Sequence, residues 1–302
     1  MKIKETKGWH IFNWTNIILM TLLVIVFVFP YLNTLAKALN ESADSARGGI
    51  TIWPRVPTLE NFKTLFADET LLSAAIISVI RVITSVVLSL LVQFGAAYAI
   101  TKKNLPGRGF ITTLFMIPMF ITAGQLPLFV LLSNLNLTNS FWVYILPTLF
   151  SYYNVVIIRT FIQSTIPGSL EESALIDGAN EVTIFFKIIL PLSKPILATV
   201  ALWVMVGQWN DWTSTLYYVT TPKLYTLQYV MMQLVKESER IQAMQQAAIE
   251  AGVTDPSVLN QQTSSESLIA AQVIVTTVPI ICVYPFLQKY FVKGIMMGSV
   301  KG

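Results

Sequence analysis

The sequence has few charged residues for its length. Only 12% of its 302 residues are Asp, Glu, Lys or Arg, whereas 54% are hydrophobic and the mean hydropathy is +0.63. A soluble domain usually carries about 25% charged residues, so the few charges present cannot cover a chain of this length with a water-facing surface. The composition therefore predicts an integral membrane protein whose surface is largely covered by lipid.

Cysteine and histidine are nearly absent. The one cysteine, Cys282, cannot form an intrachain disulfide, and the one histidine, His10, lies in the polar N-terminal segment. Zinc clusters, Cys–His pairs and His-based triads are thereby excluded. No set of carboxylates, lysines or serines suggests an active site, so we expect no enzyme, no metal site and no cofactor bound by this chain. The net charge of +4 is attributed to a membrane-facing side and not to nucleic-acid binding.

Long apolar runs are abundant, and six of them are long enough for membrane helices, since about 20 apolar residues cross a bilayer as a helix. Several of these runs contain proline, which membrane helices tolerate when neighbouring groups satisfy the freed backbone atoms. The predicted spans cover residues 13–35, 71–100, 109–133, 141–163, 193–217 and 268–291. The predicted fold class is therefore all-α, with six transmembrane helices.

Lysine and arginine are denser on the side of the predicted membrane that holds the N-terminus. By the positive-inside rule, both termini are predicted to be cytoplasmic. The segments 40–70 and 218–267 then lie outside, and the second predicts a helix over Leu234–Ala251 that ends at Gly252, followed by a polar loop through Ser267. Two interpretations of this second segment stay open, a solvated excursion or a contact with a partner or substrate.

A polar loop between the predicted fourth and fifth spans carries the most specific pattern. Ser169 and Glu172 have the spacing of a capping box, which predicts a helix that starts at Leu170. Gly178 suits the left-handed residue that ends a helix, and Asn180 can cap the next one. Such an acid-rich helix is poorly matched to an anionic membrane surface. The pattern therefore favours docking onto another protein.

The loop resembles the signature of permease subunits of type I ABC importers, namely Glu-Ala-Ala, three residues, Gly, nine residues and Ile-x-Leu-Pro. The matching positions are Glu172, Ser173, Ala174, Gly178, Ile188, Leu190 and Pro191, with serine in place of the first alanine. The chain also resembles the MalG/LplC-like half of the carbohydrate permease pairs. That resemblance rests on segment 169–179, the Trp-Asn-Asp-Trp cluster at 209–212 and the tail 290–302, and it covers the chain from about Phe12 to Gly302.

The resemblance implies a type I ABC importer permease fold in three parts. Residues 1–70 hold the N-terminal lead, the first span and an extracytoplasmic loop. Residues 71–291 form the transmembrane domain, with a cytoplasmic coupling loop at 164–192 and an extracytoplasmic loop at 218–267, and residues 292–302 are a cytoplasmic tail. The implied protein is a multi-pass permease in a bacterial plasma membrane that imports a carbohydrate by alternating access.

The resemblance also implies the partners of the chain. These are a second permease subunit that forms a heterodimer, a dimeric cytoplasmic ATPase that binds ATP and Mg, an extracytoplasmic solute-binding protein, the carbohydrate substrate and membrane lipid. The helix of the coupling loop would insert into a cleft of the ATPase, and the C-terminal tail would reach toward the nucleotide-bearing dimer. The residues expected at the coupling helix are Leu170, Glu171, Glu172, Ser173, Ala174, Asp177, Gly178, Ala179, Ile188, Leu190 and Pro191.

Aromatic residues concentrate at the outer end of the predicted fifth span. Such rings can stack on sugar faces, although an aromatic belt at the membrane interface is the alternative. A charge inside a span is costly and usually paired or placed on a pathway, so Arg81 is expected to pair with Asp211 or to face an acidic sugar. The candidate substrate-path residues are Arg81, Tyr153, Asn154, Trp209, Asn210, Asp211, Trp212 and Tyr217.

Three other functions fit the residues less well. An ABC permease for a non-sugar solute would share the loop but lack the carbohydrate-type tail and the Trp-Asn-Asp-Trp cluster. A secondary transporter would need intramembrane ionisable residues to couple ions, and Arg81 is nearly alone in that respect. An intramembrane enzyme would need a nucleophile and a base. A sugar permease remains the main prediction, with an oligosaccharide as the expected cargo and an acidic sugar as an open alternative.

Overall fold

The computed structural model describes residues 7–45, 47–121, 123–251 and 266–298. Within these ranges the chain is helical and has no strand, and one isolated antiparallel bridge pairs Asn40 with Pro57. The all-α prediction is confirmed.

Helices of very different length follow one another along the chain. In order they are α1 Lys7–Ala38, α2 Ser42–Ser45, α3 Glu60–Ala67, α4 Glu69–Thr101, α5 Arg108–Phe120, α6 Gln125–Asn134, α7 Tyr152–Thr165, α8 Gly168–Ile176, α9 Glu181–Ile184, α10 Leu190–Leu192, α11 Lys194–Asn210, α12 Thr213–Tyr218, α13 Leu227–Glu250 and α14 Glu266–Gly298. Turns of 3-10 helix occupy Phe141–Tyr144, Leu146–Thr148 and Pro222–Leu224, and a π-helical turn occupies Phe185–Ile189.

Three of the predicted spans are single unbroken helices. In the described part of the chain, α1, α4 and residues Glu266–Pro285 of α14 are long and apolar enough to cross a membrane. They contain or overlap the predicted first, second and sixth spans. The other three spans appear as bent pairs, which bring the total to six if each pair crosses once. These pairs are α5 with α6, Phe141–Thr148 with α7, and Glu181–Leu192 with α11.

The bends correct the predicted extents of the third and fourth spans. No continuous helix covers 109–133, because Ile121 is extended and Gly124 has a positive φ of 84° before α6 begins. In the fourth span, the 3-10 stretch meets α7 at 51°, and the regular helix starts at Tyr152 and not at residue 141. Hydropathy alone cannot detect such breaks, since the residues around them remain apolar.

The fifth span is also interrupted at both ends. The chain bends by 77° around Ser193, which lies between Pro191 and Pro195, and proline removes the backbone donor that would continue a helix. The prediction of one helix over 193–217 is wrong, because α11 ends at Asn210 and Asp211 takes an extended backbone. A separate short helix, α12, follows.

The two loops at the ends of the predicted spans are partly described. The helix predicted over Leu234–Ala251 is confirmed and begins earlier, at Leu227. Gly252 and the polar stretch after it lie outside the described residues. The polar loop was predicted to run through Ser267, but Ser267 already belongs to α14. The helix α14 also continues through the start of the predicted tail at residue 292.

The chain divides into two compact units. The first comprises Met1–Glu69 and Met231–Val278, and the second comprises Thr70–Val230 and Pro279–Gly302. In the first unit, an ion pair of 2.5 Å between Lys37 and Glu266 joins the end of α1 to the start of α14. Asn40 is fully buried there. Its side-chain amide donates to Asp44 Oδ2 at 2.9 Å, and its Oδ1 accepts from the Val56 backbone N–H at 2.7 Å.

The second unit has a core that fixes the base of the predicted coupling loop. Buried side chains of α4, α7 and α11 pack there with Ile184 and Ile189, both of which are 0% exposed. Full burial of such a side chain stabilises by about 1.5–3 kcal/mol relative to exposure. The loop is therefore anchored to the membrane helices by its own apolar residues.

Candidate functional site

The helix of the coupling loop begins with a proline and not with a capping box. Helix α8 starts at Gly168, its N-cap is Pro167 in an extended conformation, and no side chain caps it. The capping box predicted from Ser169 and Glu172 is therefore wrong. Proline is pre-set for a position next to a helix start, since its φ is fixed and it lacks an N–H group.

The end of α8 and the start of α9 confirm two predictions. Gly178 is left-handed, with φ of 80°. Its N–H donates to Leu175 O at 3.0 Å, and the N–H of Ala179 donates to Ala174 O at 2.9 Å, which is the Schellman pattern. Asn180 Oδ1 accepts from the Thr183 N–H at 2.8 Å and so caps α9. The loop is a helix, a defined turn and a second helix.

The signature residues lie on two sides of this loop. Ala174, Ala179, Ile188 and Leu190 pack against the core. Glu172, Ser173, Asp177, Gly178 and Pro191 are exposed. Leu170 is exposed as well, and so are two residues that sequence analysis missed, Leu175 and Ile176, of which Ile176 is 86% exposed. Exposed apolar side chains at a polar loop of this kind are compatible with a contact to another protein.

A lysine from outside the loop binds both of its arms. Lys102, the residue after α4, places Nζ 2.5 Å from Glu171 Oε2 on α8 and 2.8 Å from Glu181 Oε2 on α9. The Tyr98 hydroxyl donates to Glu181 Oε2 at 2.8 Å, and the lysine Nζ lies 4.4 Å from the centre of the Tyr98 ring. We call these four residues the Lys102 cluster.

The charge of Lys102 is stabilised in this position. Partial burial disfavours its charged form, but hydrogen bonds from Nζ to Glu171 and Glu181 outweigh burial and raise the pKa of Lys102 above its ordinary 10.5. Sequence analysis missed Lys102 because its partners lie 69 and 79 residues further along the chain. Its position directly after a long apolar helix was the available signal.

The predicted pairing of Arg81 with Asp211 is present. The Arg81 guanidinium forms an ion pair with the Asp211 carboxylate and donates from Nη1 to Asp211 O at 3.0 Å. Its Nε donates to Gln208 Oε1 at 2.7 Å, and the group lies 4.5 Å from the centre of the Tyr144 ring. Gln208 Nε2 in turn donates to Thr148 Oγ1 at 2.6 Å.

This arrangement, the Arg81 cluster, joins α4 to the breaks in the fourth and fifth spans. Arg81 is only 1% exposed, so its guanidinium is closed to a cargo in this conformation. Asp211 Oδ1 accepts from the N–H groups of Thr213 and Ser214 and thereby starts α12. Tyr144 and Thr148 were not predicted, since a hydroxyl in an apolar run gives no sign of a distant partner.

The other candidate substrate-path residues differ in exposure. Tyr153, Asn210 and Tyr217 are exposed, and Trp212 is half-buried. Asn154 and Trp209 are buried. The Tyr153 ring contacts Trp203, with centroids 6.2 Å apart. Trp209 borders an apolar cavity of about 250 Å³, whose walls come from α4, α11 and α14.

No metal centre was found in the described residues, where no group of three or more His, Cys, Asp and Glu side chains could hold an ion. The geometry consists instead of a protruding loop and a buried polar cluster between bent helices.

Comparison with known proteins identifies the family. The family model described as "Binding-protein-dependent transport system inner membrane component" matches residues 96–297. Protein LplC of Bacillus subtilis (strain 168) is 32% identical over 298 residues, which are 99% of this chain and 97% of LplC. The polygalacturonan/rhamnogalacturonan transport system permease protein YtcP of the same organism is 31% identical over 283 residues, covering 94% of this chain and 96% of YtcP.

A solved structure has the same fold. It is a bacterial ABC transporter involved in the import of the acidic polysaccharide alginate, with a TM-score of 0.82 and 23% identity. The match covers 96% of this chain and 100% of that chain. The predicted type I ABC importer permease fold is confirmed, and so is the prediction of a transport protein that is not an enzyme, since the relatives are permeases. This chain belongs to the binding-protein-dependent transport system inner membrane components, the permease subunits of bacterial ABC importers.

Proposed function

We propose that this chain is one of two membrane-spanning subunits that import an oligosaccharide into the bacterial cytoplasm by alternating access. A cytoplasmic ATPase dimer would bind ATP and Mg and supply the energy, and a solute-binding protein would deliver the cargo from outside. Both termini of the chain would then be cytoplasmic. The saccharide named for YtcP supports this class of cargo.

The observation that carries the transport role is the shape of the coupling loop. The loop is anchored to the core by buried Ile184 and Ile189, and Ala174 of α8 packs against the same cluster. Leu170, Leu175 and Ile176 are exposed beside exposed acidic residues. Exposed apolar side chains next to charges suit a groove on another protein better than they suit water. We therefore assign the exposed surface of α8 to a contact with the ATPase.

We further propose that the cargo carries uronate units. Polygalacturonan and alginate, named for a relative and for a structural neighbour, are polymers of acidic sugars. Arg81 is already paired and buried, so we assign charge recognition to the solute-binding protein. Contact with the sugar itself is assigned to the exposed Tyr153, Asn210 and Tyr217.

An uptake experiment tests the cargo. A bacterial strain that lacks this chain would be compared with its parent for uptake of galacturonate oligomers, alginate oligomers and neutral arabinose or galactose oligomers. We expect loss of uptake for an acidic oligosaccharide and normal uptake of an amino acid. Loss confined to neutral oligomers would contradict the acidic assignment, and unchanged uptake of every sugar would contradict the carbohydrate assignment.

A cross-linking experiment tests the loop independently of the cargo. With Cys282→Ser as background, Ile176→Cys should form a cross-link to the ATPase subunit in the assembled transporter, whereas Leu59→Cys should not. Leu59 is the matched control because it is also an exposed apolar residue, at 61%, and lies outside the loop. Absence of the cross-link in an assembled complex would contradict the assignment of α8.

A further inference from the structure

We propose that Lys102 is a positioning residue for the coupling loop: it binds both arms of the loop to the end of α4, so that displacement of the loop moves this membrane helix. The inference rests on the proposed contact of α8 with the ATPase. It assigns to one side chain the connection between that contact and the membrane-spanning part of the second unit.

The geometry of the Lys102 cluster supports this assignment. Glu171 belongs to α8 and Glu181 to α9, on opposite sides of the turn at Gly178, yet both carboxylates meet the same ammonium group. Tyr98 lies four residues before Lys102 and donates to the same oxygen of Glu181. The end of α4 thus contributes a cation and a hydroxyl, one helical turn apart, to a single site.

The cluster differs from an ordinary surface ion pair. An exposed pair contributes little, because water screens it and both side chains lose freedom. Here the side chains of Lys102 and Glu171 are 25% and 21% exposed, whereas that of Glu181 is 56% exposed, and the Tyr98 hydroxyl joins these three groups. Such a network has more defined geometry than an isolated pair.

Apolar packing alone would not orient the loop. Ile184 and Ile189 hold it against the core, but apolar burial is non-directional. Charged hydrogen bonds at 2.5 and 2.8 Å fix direction as well as distance. We therefore infer that the two isoleucines hold the loop close to the core and that Lys102 fixes the direction in which the loop points.

Two adjacent glutamates of α8 have different surroundings. Glu171 is half-buried and binds Lys102, whereas Glu172, which matches the family signature, is exposed. Neighbouring residues on a helix point about 100° apart. Glu171 is thus occupied by its ion pair with Lys102 at the end of α4. Glu172 remains on the surface of α8 that is assigned to contact the ATPase.

The test measures how nucleotide binding in the ATPase affects the far end of the membrane helices. Lys223→Cys, in a Cys282→Ser background, provides one thiol beyond α11, at the opposite end from the loop, and Lys223 is exposed and lies outside the proposed sugar contact. The assembled transporter in lipid nanodiscs is labelled with a membrane-impermeant maleimide, with and without AMP-PNP, a non-hydrolysable ATP analogue. The ratio of the two labelling rates is the readout.

Lys102→Met is expected to reduce the effect of AMP-PNP on labelling at least about threefold, in line with the coupling energies of contacting network residues. Binding of AMP-PNP and the Ile176→Cys cross-link should persist. Lys102→Arg, which keeps the charge, should restore the effect. Lys103→Met is the matched control, since Lys103 is the exposed neighbour, and it should behave as the unmodified chain.

The outcomes separate the inference from the proposed function. A full response to AMP-PNP in Lys102→Met overturns the inference, and so does an equal loss in Lys103→Met. No response in the unmodified transporter, or no Ile176→Cys cross-link, contradicts the proposed function instead. If Lys102→Met does not assemble, Glu171→Gln and Glu181→Gln give the answer: each should weaken the response, and an unchanged response in both overturns the inference.

Discussion

Arg81 and Gln208, which are 127 residues apart in the chain, share a hydrogen bond of 2.7 Å inside the membrane-spanning part of the protein. The amide nitrogen of Gln208 in turn donates a second hydrogen bond to Thr148 Oγ1. It is one side of a cluster whose other side is the Arg81–Asp211 ion pair. The first prediction concerns that pair.

Arg81→Gln and Asp211→Asn should each destabilise the chain, and the double variant should be more stable than either single one. Removing one member of a buried pair typically costs about 3–5 kcal/mol, because the other charge is left without a partner. Asp211 is partly exposed, which places the expected loss near the lower end. Thermal unfolding in detergent measures this, with the exposed Lys63→Gln as control. Additive losses in the double variant would contradict the pairing.

Gly178→Ala should weaken the turn of the coupling loop by about 1–2 kcal/mol, the cost of a left-handed residue that carries a Cβ. No atom lies within 4 Å of the position of such a Cβ, so the cost is one of backbone conformation and not of contact. Gly178→Asn should cost less, since asparagine tolerates this region.

Gly168→Ala is the matched control for that series. Gly168 is the first residue of α8, the helix that Gly178 terminates, and it has no positive φ and also has open space around it. Hydrogen exchange of the amides in 168–184 reports the difference. Equal exchange in the two alanine variants would show that the turn at Gly178 contributes nothing to the loop.

Ile176→Ser should leave the stability of the chain within about 0.5 kcal/mol, as is usual for an exposed site. It should weaken association with the ATPase about tenfold or more, since burying such a side chain contributes about 1.5–3 kcal/mol. Pull-down of the ATPase by the detergent-solubilised permease pair measures the loss. Leu59→Ser, at another exposed position, should have no effect on association, and equal binding by both variants would remove Ile176 from the contact.

The nucleotide response of the transporter should not depend on Lys102 protonation between about pH 6 and 9. The pKa of Lys102 is raised, so its contribution is complete below its ordinary 10.5 and is lost only as pH rises through the higher folded value. The groups that face it are the carboxylates of Glu171 and Glu181 and the ring of Tyr98. The ratio of the AMP-PNP response in the unmodified chain to that in Lys102→Met should be constant over this interval. A ratio that falls toward one by pH 9 would contradict the raised pKa.

The sequence predicts where the apolar spans lie because apolar runs are a local property, but it misses the bends in three of them. It predicts the Arg81–Asp211 pair for a different reason, since a membrane leaves a charge few alternatives to a nearby opposite charge. Gly178 and Asn180 were predictable because their roles depend on their own backbone and on neighbours within five residues.

The features that sequence analysis missed depend on distant or competing residues. The contacts of Lys102 with two carboxylates of the coupling loop arise only after three helices have packed. The capping box failed because Pro167 starts α8 earlier than the Ser169–Glu172 spacing indicates. The break at Asp211 was missed even though polar residues surround it in the sequence and its carboxylate is a strong helix-starting group.

Asp211 uses its two carboxylate oxygens for two different elements. One oxygen receives the first N–H groups of α12, and the other binds Arg81 of α4. These two helices are therefore fastened to the same carboxylate. The end of α11 is held at the same site, because its Gln208 accepts a hydrogen bond from Arg81 and its last residue directly precedes Asp211. Three helices thus meet at one side-chain cluster, so the interruption of the fifth span at Asp211 is braced by α4 and is not a free hinge.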